Sequence, residues 1–348
     1  MVRTIDTFRK VIPPERNIIT NSGLDNWQRG TSGFTTSGQY SADRFLPLQS
    51  HSASFSIDRD TDLPIGAVGR YSLKFSVTTG AATGVNDWSG LQHRIEASDI
   101  QHLAGKYVTL SFWYKSNVTG KHSFTLIETG PQLIRYTHEF QIDYADTWIP
   151  ISHTFQIYPT ADWGSGVAKG ATLAFNTSIG SNFHAPNDTW VTNGGFGTAT
   201  MVDLMSTTSN YFKISDIMFH EGSKAVPFSR RGNSLAEELQ LCQRYYEKSY
   251  LQSVAPGSIS DTGKRGFNVG TSTTSNFAFH LFFMTLKRDI PLITTYSPVT
   301  GASGKGDRNG TDTNAVPFSA SEYGCLISDT GTNSAFSYWC HFTADSEI

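Results

Sequence analysis

The fold class predicted for this chain rests first on one nine-residue segment, Tyr107-Val108-Thr109-Leu110-Ser111-Phe112-Trp113-Tyr114-Lys115. Its even-numbered residues are all apolar, whereas Thr109, Ser111 and Lys115 at odd-numbered positions are polar. Successive side chains of a β-strand point to opposite faces, so this alternation predicts a strand with one face in a core. Trp113 falls on the other face.

Similar short runs, bounded by Gly, Asn, Asp and Ser, recur on both sides of this segment without a helical period between them. Strands of this length and spacing predict an all-β chain that begins with an antiparallel jelly-roll β-sandwich. Gly222 and the apolar run that ends at Phe228 close this predicted domain at residues 17–228. The predicted strands are residues 17–20, 53–57, 71–77, 91–95, 107–115, 122–128, 137–142, 149–156, 171–177 and 211–219.

A single convincing helix interrupts the strands. Ser234 and Glu237 form a capping box, which predicts that a helix starts here. A narrow apolar stripe follows at steps of four, three and four residues, formed by Leu235, Leu239, Cys242 and Tyr246. An isolated helix this short is marginal in water, so it must pack on something. Two interpretations stay open: a linker helix over residues 229–250, or a helix that meets symmetry copies around an oligomer axis.

The remaining residues, 251–348, predict a C-terminal β-sandwich-like domain. Apolar strands are expected at residues 277–286, 290–296 and 334–342, and a mobile glycine-rich loop at residues 300–310. That loop lacks the spacing of a phosphate-binding loop, which argues against an NTPase. Either this domain is a small sandwich by itself, or three copies share a core along an axis.

Composition limits the classes of partner. The 348 residues predict two or three domains, and only 16% of them are charged, with a net charge of -3. Nucleic-acid binding needs clustered Lys and Arg, which this chain lacks, whereas a polar uncharged surface suits neutral ligands such as glycans. No segment is apolar enough to span a membrane, and the N-terminus lacks a signal peptide, so we expect synthesis in a cytoplasm. Residues 1–16, with Pro13 and Pro14, predict an extended arm that is either a disordered terminus or a docking peptide.

Catalytic and metal-binding motifs are missing from the sequence. Cys242, Cys325 and Cys340 form no CxxC pair, so buried free thiols are expected, with a Cys325–Cys340 bridge as the alternative. The alternating carboxylates Asp58, Asp60 and Asp62 predict a solvated face rather than a glycosidase pair. There is no nucleophile elbow and no HExxH motif, and we expect a protein that is not an enzyme and requires no cofactor.

Three segments carry a family resemblance. Residues 18–30 resemble the opening strand and turn of the carbohydrate-binding jelly-roll modules of phage virion proteins. Residues 213–228, continuing into 237–246, are similar to a junction found in phage and prophage tail-fibre-like proteins, and residues 339–348 resemble the end of that family. The resemblance covers most of residues 17–348. It implies a virion protein that forms a homotrimer and contacts other virion proteins.

The resemblance also implies a structural calcium ion. Modules of this kind often hold calcium between the end of the first strand and the last strand, through carboxylate and carbonyl oxygens. Asp25 and Asp216 stand at the corresponding places, with Asp at position 25 where the family often has Glu. The alternative is a pair of turn-capping aspartates.

Tryptophans are the best candidates for glycan contacts, because a flat aromatic face suits the axial C–H bonds of a sugar. Trp88, Trp163 and Trp190 lie among Asp, Asn and Gly, as is typical of loops. The Trp88 cluster ranks first because Gln92, His93 and Arg94 lie close to it and offer hydrogen-bonding groups. The alternative for each is a loop aromatic folded over the sandwich edge or buried between subunits. Trp113 and Trp148 are expected to be structural, and Trp27 to hold the opening turn on the core.

The leading functional expectation is therefore a fibre-like phage appendage that binds host-surface glycans for attachment. Two alternatives stay open. The first is a capsid-decoration, head-fibre or tail-collar protein that makes protein contacts only, and the second is a glycan-degrading enzyme.

Overall fold

The computed structural model of this protein describes residues 16–130, 132–192, 194–273, 277–332 and 335–348. Nearly all regular structure in these residues is β, which confirms the predicted all-β class. The predicted arm at residues 1–16 lies outside the described residues, apart from Arg16. Within the described ranges, no helix has the length and apolar character needed to cross a bilayer.

The first part of the chain builds two antiparallel sheets, here called the back sheet and the front sheet. The back sheet has six strands and the front sheet five. Their elements, in chain order, are β1 (Phe45–Ser50), β2 (Ser54–Asp60), β3 (Ser72–Thr79), β4 (Trp88–Glu96), α1 (Ala97–Ile100), β5 (Tyr107–Ser116), β6 (Gly120–Glu128), β7 (Ile134–Ile142), β8 (Ile149–Gln156), β9 (Lys169–Ile179), β10 (Thr189–Thr192) and β11 (Tyr211–Glu221).

The two sheets pack face to face around one aromatic-rich core, as in a β-sandwich. The strand order is β1-β4-β9-β6-β7-β10 in the back sheet and β2-β3-β11-β5-β8 in the front sheet. On β5, the apolar residues of the predicted inward face are all buried, as the alternation predicted. Phe112 of β5 lies edge-on to Phe124 and Phe175 of the back sheet, with ring centroids 6.2 and 5.1 Å apart.

The start of the sandwich differs from the prediction. Residues 17–20 form no strand. The Ile18 amide donates to the Phe219 carbonyl of β11, but the Asn17 side chain then accepts from the amides of Ile19 and Phe219 in place of a continued ladder of backbone bonds. Asn21 adopts a left-handed conformation, with φ of 59°. Trp27 is buried and its Nε1 donates to the Leu24 carbonyl at 2.8 Å, so it holds this turn on the core. The prediction also missed β1, which contains Pro47, and β10, which has only four residues.

The longest helix among the described residues, α2 (Leu235–Gln243), is shorter than the predicted 229–250 segment. Ser234 caps it by accepting from the Glu237 amide at 3.2 Å, as predicted, but the Glu237 carboxylate accepts from the Asn233 amide instead of that of Ser234. The predicted apolar stripe is wrong at Leu235, which is 42% exposed, and at Tyr246, which lies on a strand, while Leu239 is half-buried and Cys242 is buried.

The face that α2 buries includes a charged residue. The Glu238 carboxylate accepts from the amides of Asn21 and Gly232, so it joins the helix to the opening turn of the sandwich. Burial raises the pKa of Glu238, and the two amide donors oppose that shift. The helix is therefore seated by hydrogen bonds as much as by apolar packing.

The rest of the chain forms a further antiparallel sheet. In strand order it runs β12-β19-β16-β17-β18-β14, and β13 and β15 also pair with β19. Its strands, in chain order, are β12 (Tyr246–Lys248), β13 (Arg265–Thr273), β14 (Ala278–Phe282), β15 (Leu292–Tyr296), β16 (Lys305–Arg308), β17 (Thr311–Phe318), β18 (Gly324–Asp329) and β19 (Ala335–Asp345).

Two expectations for this part were wrong. The apolar run at residues 277–286 is strand only as far as Phe282, and the glycine-rich segment 300–310 contains β16, which pairs with β17. Gly304 and Gly310 have positive φ, which lets the chain enter and leave β16 by tight turns. Cys242, Cys325 and Cys340 are buried free thiols, as expected.

The two parts of the chain meet at a charged and aromatic junction. The guanidinium of Arg44 lies 3.5 Å from the ring centre of Tyr245, and that of Arg29 lies 3.6 Å from the ring centre of Tyr246. Both arginines also form ion pairs with Glu347, near the end of the second part. Burial acts to lower the pKa of Arg29 and Arg44, but the surrounding acidic groups, of which Glu347 contributes most, together outweigh it and raise both pKa values.

Candidate functional site

The outward face of the front sheet carries a row of charged residues, one on each of four neighbouring strands. Asp58 of β2 is opposite Lys74 of β3, Lys74 is opposite Lys213 of β11, and Lys213 is opposite Lys115 of β5. Directly opposed side chains on one face are about 4.5–5.5 Å apart at Cβ, so three ammonium groups in a row would repel one another. The row needs counter-charges to be stable.

Asp60 and Asp62 supply those counter-charges. The Lys213 ammonium lies 2.8 Å from an Asp60 oxygen and 2.9 Å from an Asp62 oxygen, and Lys115 lies 2.9 Å from the same Asp62 oxygen. Partial burial acts to raise the pKa of Asp62, but hydrogen bonds from Lys213, Lys115 and Trp148 outweigh it and hold this pKa well below its usual range. Together with Asp58, these acids balance the three lysines.

Aromatic side chains flank the charged row. Trp148, just before β8, donates from Nε1 to the other Asp62 oxygen at 3.1 Å. Trp113 of β5 lies opposite Pro150 and Ser215 on the same outward face, and both tryptophans are half-buried. The Lys74 ammonium is 5.1 Å from the ring centre of Tyr211, whose hydroxyl donates to Asp146. We call Trp113, Trp148, Tyr211 and the Lys74, Lys115, Lys213, Asp60 and Asp62 network the lysine-row face.

The chemistry of this face suits binding better than acid catalysis. Flat rings beside fixed hydrogen-bonding groups are what a neutral polar ring-shaped ligand needs. A general acid needs a carboxyl whose pKa is raised, whereas the pKa values of Asp60 and Asp62 are both lowered. In each case burial acts to raise the pKa, and the hydrogen bonds and lysine charges together outweigh it.

The predicted tryptophan platforms are located elsewhere. Trp163 is only 2% exposed and its Nε1 donates to the Tyr158 carbonyl, so the prediction of an exposed platform is wrong there. Trp190, on β10, packs edge-on to Trp163 with centroids 6.1 Å apart and donates to the Gln156 carbonyl at 2.8 Å. The alternative of an aromatic folded over the sandwich edge therefore describes Trp190 better.

The predicted Trp88 cluster is dispersed along one strand. Trp88 begins β4 and Arg94 lies six residues further on, which separates their Cα atoms by about 20 Å. Arg94 donates to the Ile348 carbonyl, His93 is buried, and Gln92 is half-buried. Trp88 itself lies edge-on to Phe196 with centroids 5.7 Å apart. The four residues do not form one binding cluster.

The outer face of the back sheet is partly covered by the chain itself. Thr125 of β6 donates to the Phe196 carbonyl at 2.7 Å, and the Val202 amide donates to the Lys121 carbonyl at 2.8 Å. Thr198 and Thr200 both donate to the Glu139 carboxylate. Because residues 194–203 lie across this face, the front sheet presents the more open surface.

Asp25 and Asp216 approach one another, but their surroundings do not fit calcium. Arg230 donates to Asp25 from Nε at 2.7 Å, and the Arg70 amide donates to the same carboxylate. Asp216 accepts from the amides of Val68 and Gly69 at 2.8 and 2.7 Å. Calcium needs six to eight oxygen ligands, whereas these oxygens face N–H donors and a guanidinium, which supports turn-capping aspartates.

The sequence contains residues of the lysine-row face at recognisable positions, but it predicts only structural roles for Trp113 and Trp148. Trp113 alternates outward with Lys115 on the very strand that predicts the fold class. The sequence does not show which strands are neighbours in the sheet. Only the strand order brings Lys213 and Asp62 next to Lys115.

Comparison with known proteins gives the following neighbours. No family model and no curated protein matches this chain. A similar solved structure is the enzymatically active domain of tailspike protein 4 of bacteriophage CBA120, with 14% identity and a TM-score of 0.35 over 59% of this chain and 21% of that chain. A CBM4 structure is similar with 10% identity and a TM-score of 0.34, over 59% of this chain and 99% of that chain. The family 11 carbohydrate-binding module of the cellulase Lic26A-Cel5E of Clostridium thermocellum has 10% identity and a TM-score of 0.30, over 57% of this chain and 99% of that chain. The match thus spans about a fifth of the tailspike chain.

Proposed function

We propose that this protein is a phage virion protein that recognises glycans on the host surface, and that the lysine-row face is where the sugar binds. The observation that supports this proposal is the grouping of Trp113, Trp148 and Tyr211 around a fixed network of lysines and aspartates on one open sheet face. The rings offer stacking surfaces for sugar C–H faces, and the charged groups offer donors and acceptors for hydroxyls.

Charge balance on this face favours a neutral glycan. Lys74, Lys115 and Lys213 are matched by Asp58, Asp60 and Asp62, so the face has no excess of positive charge to attract an anion. The hydrogen bonds between these groups also hold them in place before a ligand arrives, which lowers the entropic cost of binding. Binding should accordingly depend little on salt.

The test is glycan binding by the full chain and by tryptophan variants. We expect a glycan array to return neutral oligosaccharides, and Trp113→Ala and Trp148→Ala each to weaken binding by at least tenfold. The matched control is Trp88→Ala, which removes a half-buried tryptophan from the back sheet. Loss of binding in Trp88→Ala alone would move the site to the back sheet, and no glycan signal from the wild-type chain would contradict the proposed function. Circular dichroism shows whether each variant keeps the fold.

The proposed virion role includes a homotrimer, and an exposed apolar patch supports self-association. Five large apolar residues between positions 282 and 292 are each at least 46% exposed: Phe282, Met284, Leu286, Ile290 and Leu292. Large apolar side chains left exposed in one segment are candidates for an interaction site on a soluble protein. In the proposed assembly these residues lie between copies, and the resemblance of residues 213–228 and 237–246 to tail-fibre-like proteins suggests three of them.

Light scattering with size exclusion tests the assembly. We expect a mass three times that of the 38.3-kDa chain, and we expect the Phe282→Asp, Leu292→Asp double variant to run as a monomer. Ile65→Asp, at a fully exposed site in the first part of the chain, is the control and should keep the trimer. A monomeric wild-type chain would overturn the trimer but leave glycan binding to be decided by the array.

A further inference from the structure

Two histidines and an aspartate converge at one side of the sandwich. One nitrogen each from His138 and His153 and one carboxylate oxygen of Asp188 all lie within 4.8 Å of one another. His138 is on β7 of the back sheet, His153 is on β8 of the front sheet, and Asp188 immediately precedes β10. The cluster therefore bridges the two sheets, and it lies outside the lysine-row face.

The spacing of these atoms is close to that of a tetrahedral metal site. His153 Nε2 is 3.4 Å from Asp188 Oδ1, and His138 Nδ1 is 2.6 Å from the same oxygen. Zinc bonds of about 2.0–2.1 Å place neighbouring ligand atoms of a tetrahedron about 3.4 Å apart. The His153–Asp188 separation already matches, and the His138–Asp188 separation needs to open by about 0.8 Å.

The two imidazoles stack on one another, with ring centroids 3.5 Å apart and an interplanar angle of 17°. A metal ion lies in the plane of each imidazole that binds it. One of the two rings must therefore rotate about its Cβ–Cγ bond for both histidines to bind the same ion.

A second layer of residues orients the aspartate. The Tyr136 hydroxyl is 3.1 Å from Asp188 Oδ1 and 2.9 Å from His153 Nε2. Asn187 donates to Asp188 Oδ2 at 2.9 Å and accepts from the Glu139 amide at 2.7 Å. Such outer contacts commonly fix metal ligands in place.

We propose that His138, His153 and Asp188 bind one divalent transition-metal ion, with Zn²⁺ as the best match to their ligand chemistry. Imidazole nitrogens with a single carboxylate suit zinc, whereas calcium and magnesium prefer sites made of oxygen alone. The Asp188 side chain is 43% exposed, so solvent can reach the remaining coordination position. The bound ion joins the edges of the front and back sheets.

The experiment is zinc titration of the chelator-treated full chain by isothermal titration calorimetry. We expect one zinc ion per chain, no competition from millimolar calcium or magnesium, and a higher thermal midpoint with zinc. The His138→Gln, His153→Gln double variant and Asp188→Asn should each bind zinc at least tenfold more weakly. The control is His102→Gln, which removes an exposed histidine outside the cluster and should leave binding unchanged. Cobalt(II) in place of zinc should give the strong visible absorption of a four-coordinate site.

Three results would overturn the proposal. They are zinc binding as tight in the double variant as in the wild type, loss of binding in His102→Gln, or unchanged affinity in Asp188→Asn. Because Asp188 is partly exposed, Asp188→Asn is expected to fold even if the double histidine variant does not, and it then carries the test by itself.

Discussion

Replacing Glu347 by alanine is expected to destabilise the protein by about 3 kcal/mol, because it removes the shared counter-charge of two buried arginines. Glu347 forms ion pairs with Arg44 and, at 3.3 Å, with Arg29. The side chains of Arg44 and Glu347 are only 1% and 6% exposed. Solvent therefore screens this pair weakly, and water has little room to replace the lost carboxylate.

The size of the expected loss of stability depends on the contacts that each arginine retains in Glu347→Ala. Removing one partner of a buried ion pair costs about 3–5 kcal/mol, because the other charge stays desolvated. Arg29 retains Asp345 at 3.1 Å and Asp43 at 3.7 Å, and Arg44 retains a carbonyl acceptor at Arg94 and its stacking on Tyr245. These remaining contacts place the expected loss at the low end of the range. Glu347→Gln keeps the shape and one acceptor, so about 2 kcal/mol is expected.

Urea unfolding followed by tryptophan fluorescence measures the loss. The free energy of unfolding of Glu347→Ala and Glu347→Gln is compared with that of Glu221→Gln, which breaks the Lys106–Glu221 pair, whose side chains are 44% and 53% exposed. An exposed pair contributes about 0–1 kcal/mol, so the control should lie close to the wild type. If Glu347→Ala lost no more stability than Glu221→Gln, the reasoning about a desolvated junction would be refuted.

Three further predictions concern stability. Ser234→Ala should lower the free energy of unfolding by about 1 kcal/mol, because the Glu237 amide loses its hydrogen-bond acceptor. Urea unfolding measures this loss, with Ser258→Ala as the control. Gly306→Ala should destabilise the C-terminal sheet, because a Cβ there would meet the Tyr338 ring at 2.6 Å; a thermal midpoint equal to that of the wild type would contradict this. The pKa of His122 is lowered by burial, which outweighs the opposing hydrogen bond to the Val118 carbonyl. Its contribution to stability is present above pH 6.5 and lost as pH falls, by up to about 1.4 kcal/mol per pH unit. Because burial raises the pKa of Asp43 to about 6 and so acts in the opposite sense, the test is the difference in slope between the wild type and His122→Asn, and equal slopes would contradict the prediction.

Local pattern was enough to predict the fold class but not the lateral arrangement of residues. Residues 107–115 alternate in polarity because only one face of the strand is buried, and this pattern can be recognised in the sequence. The apolar residues of the predicted inward face are in the core. The predictions of a buried Leu235 and an exposed Trp163 were wrong, because periodicity and loop-like composition do not show which residues pack against a side chain. Leu235 is exposed because Glu238 and Cys242 face the sandwich, and Trp163 is buried because Trp190 of a distant strand packs on it.

Sites that depend on strand order were out of reach for the same reason. His138 and His153 are 15 residues apart on strands of different sheets, and Asp188 is 35 residues beyond His153. No spacing rule connects them, because no regular element contains two of them. The same holds for Lys115, Lys213 and Asp62, whose meeting depends on β11 lying between β3 and β5.

The pairing of Arg44 with Glu347 also affects how the protein can acquire its fold during translation. The two residues are 303 positions apart, and ribosomes add about 5–20 residues per second, so Arg44 is made about 15–60 s before its counter-charge. In that interval Arg29 and Arg44 are better solvated in an open nascent chain than desolvated on a finished sandwich. The early strands can collapse, but this edge is expected to close only once Glu347 has left the exit tunnel.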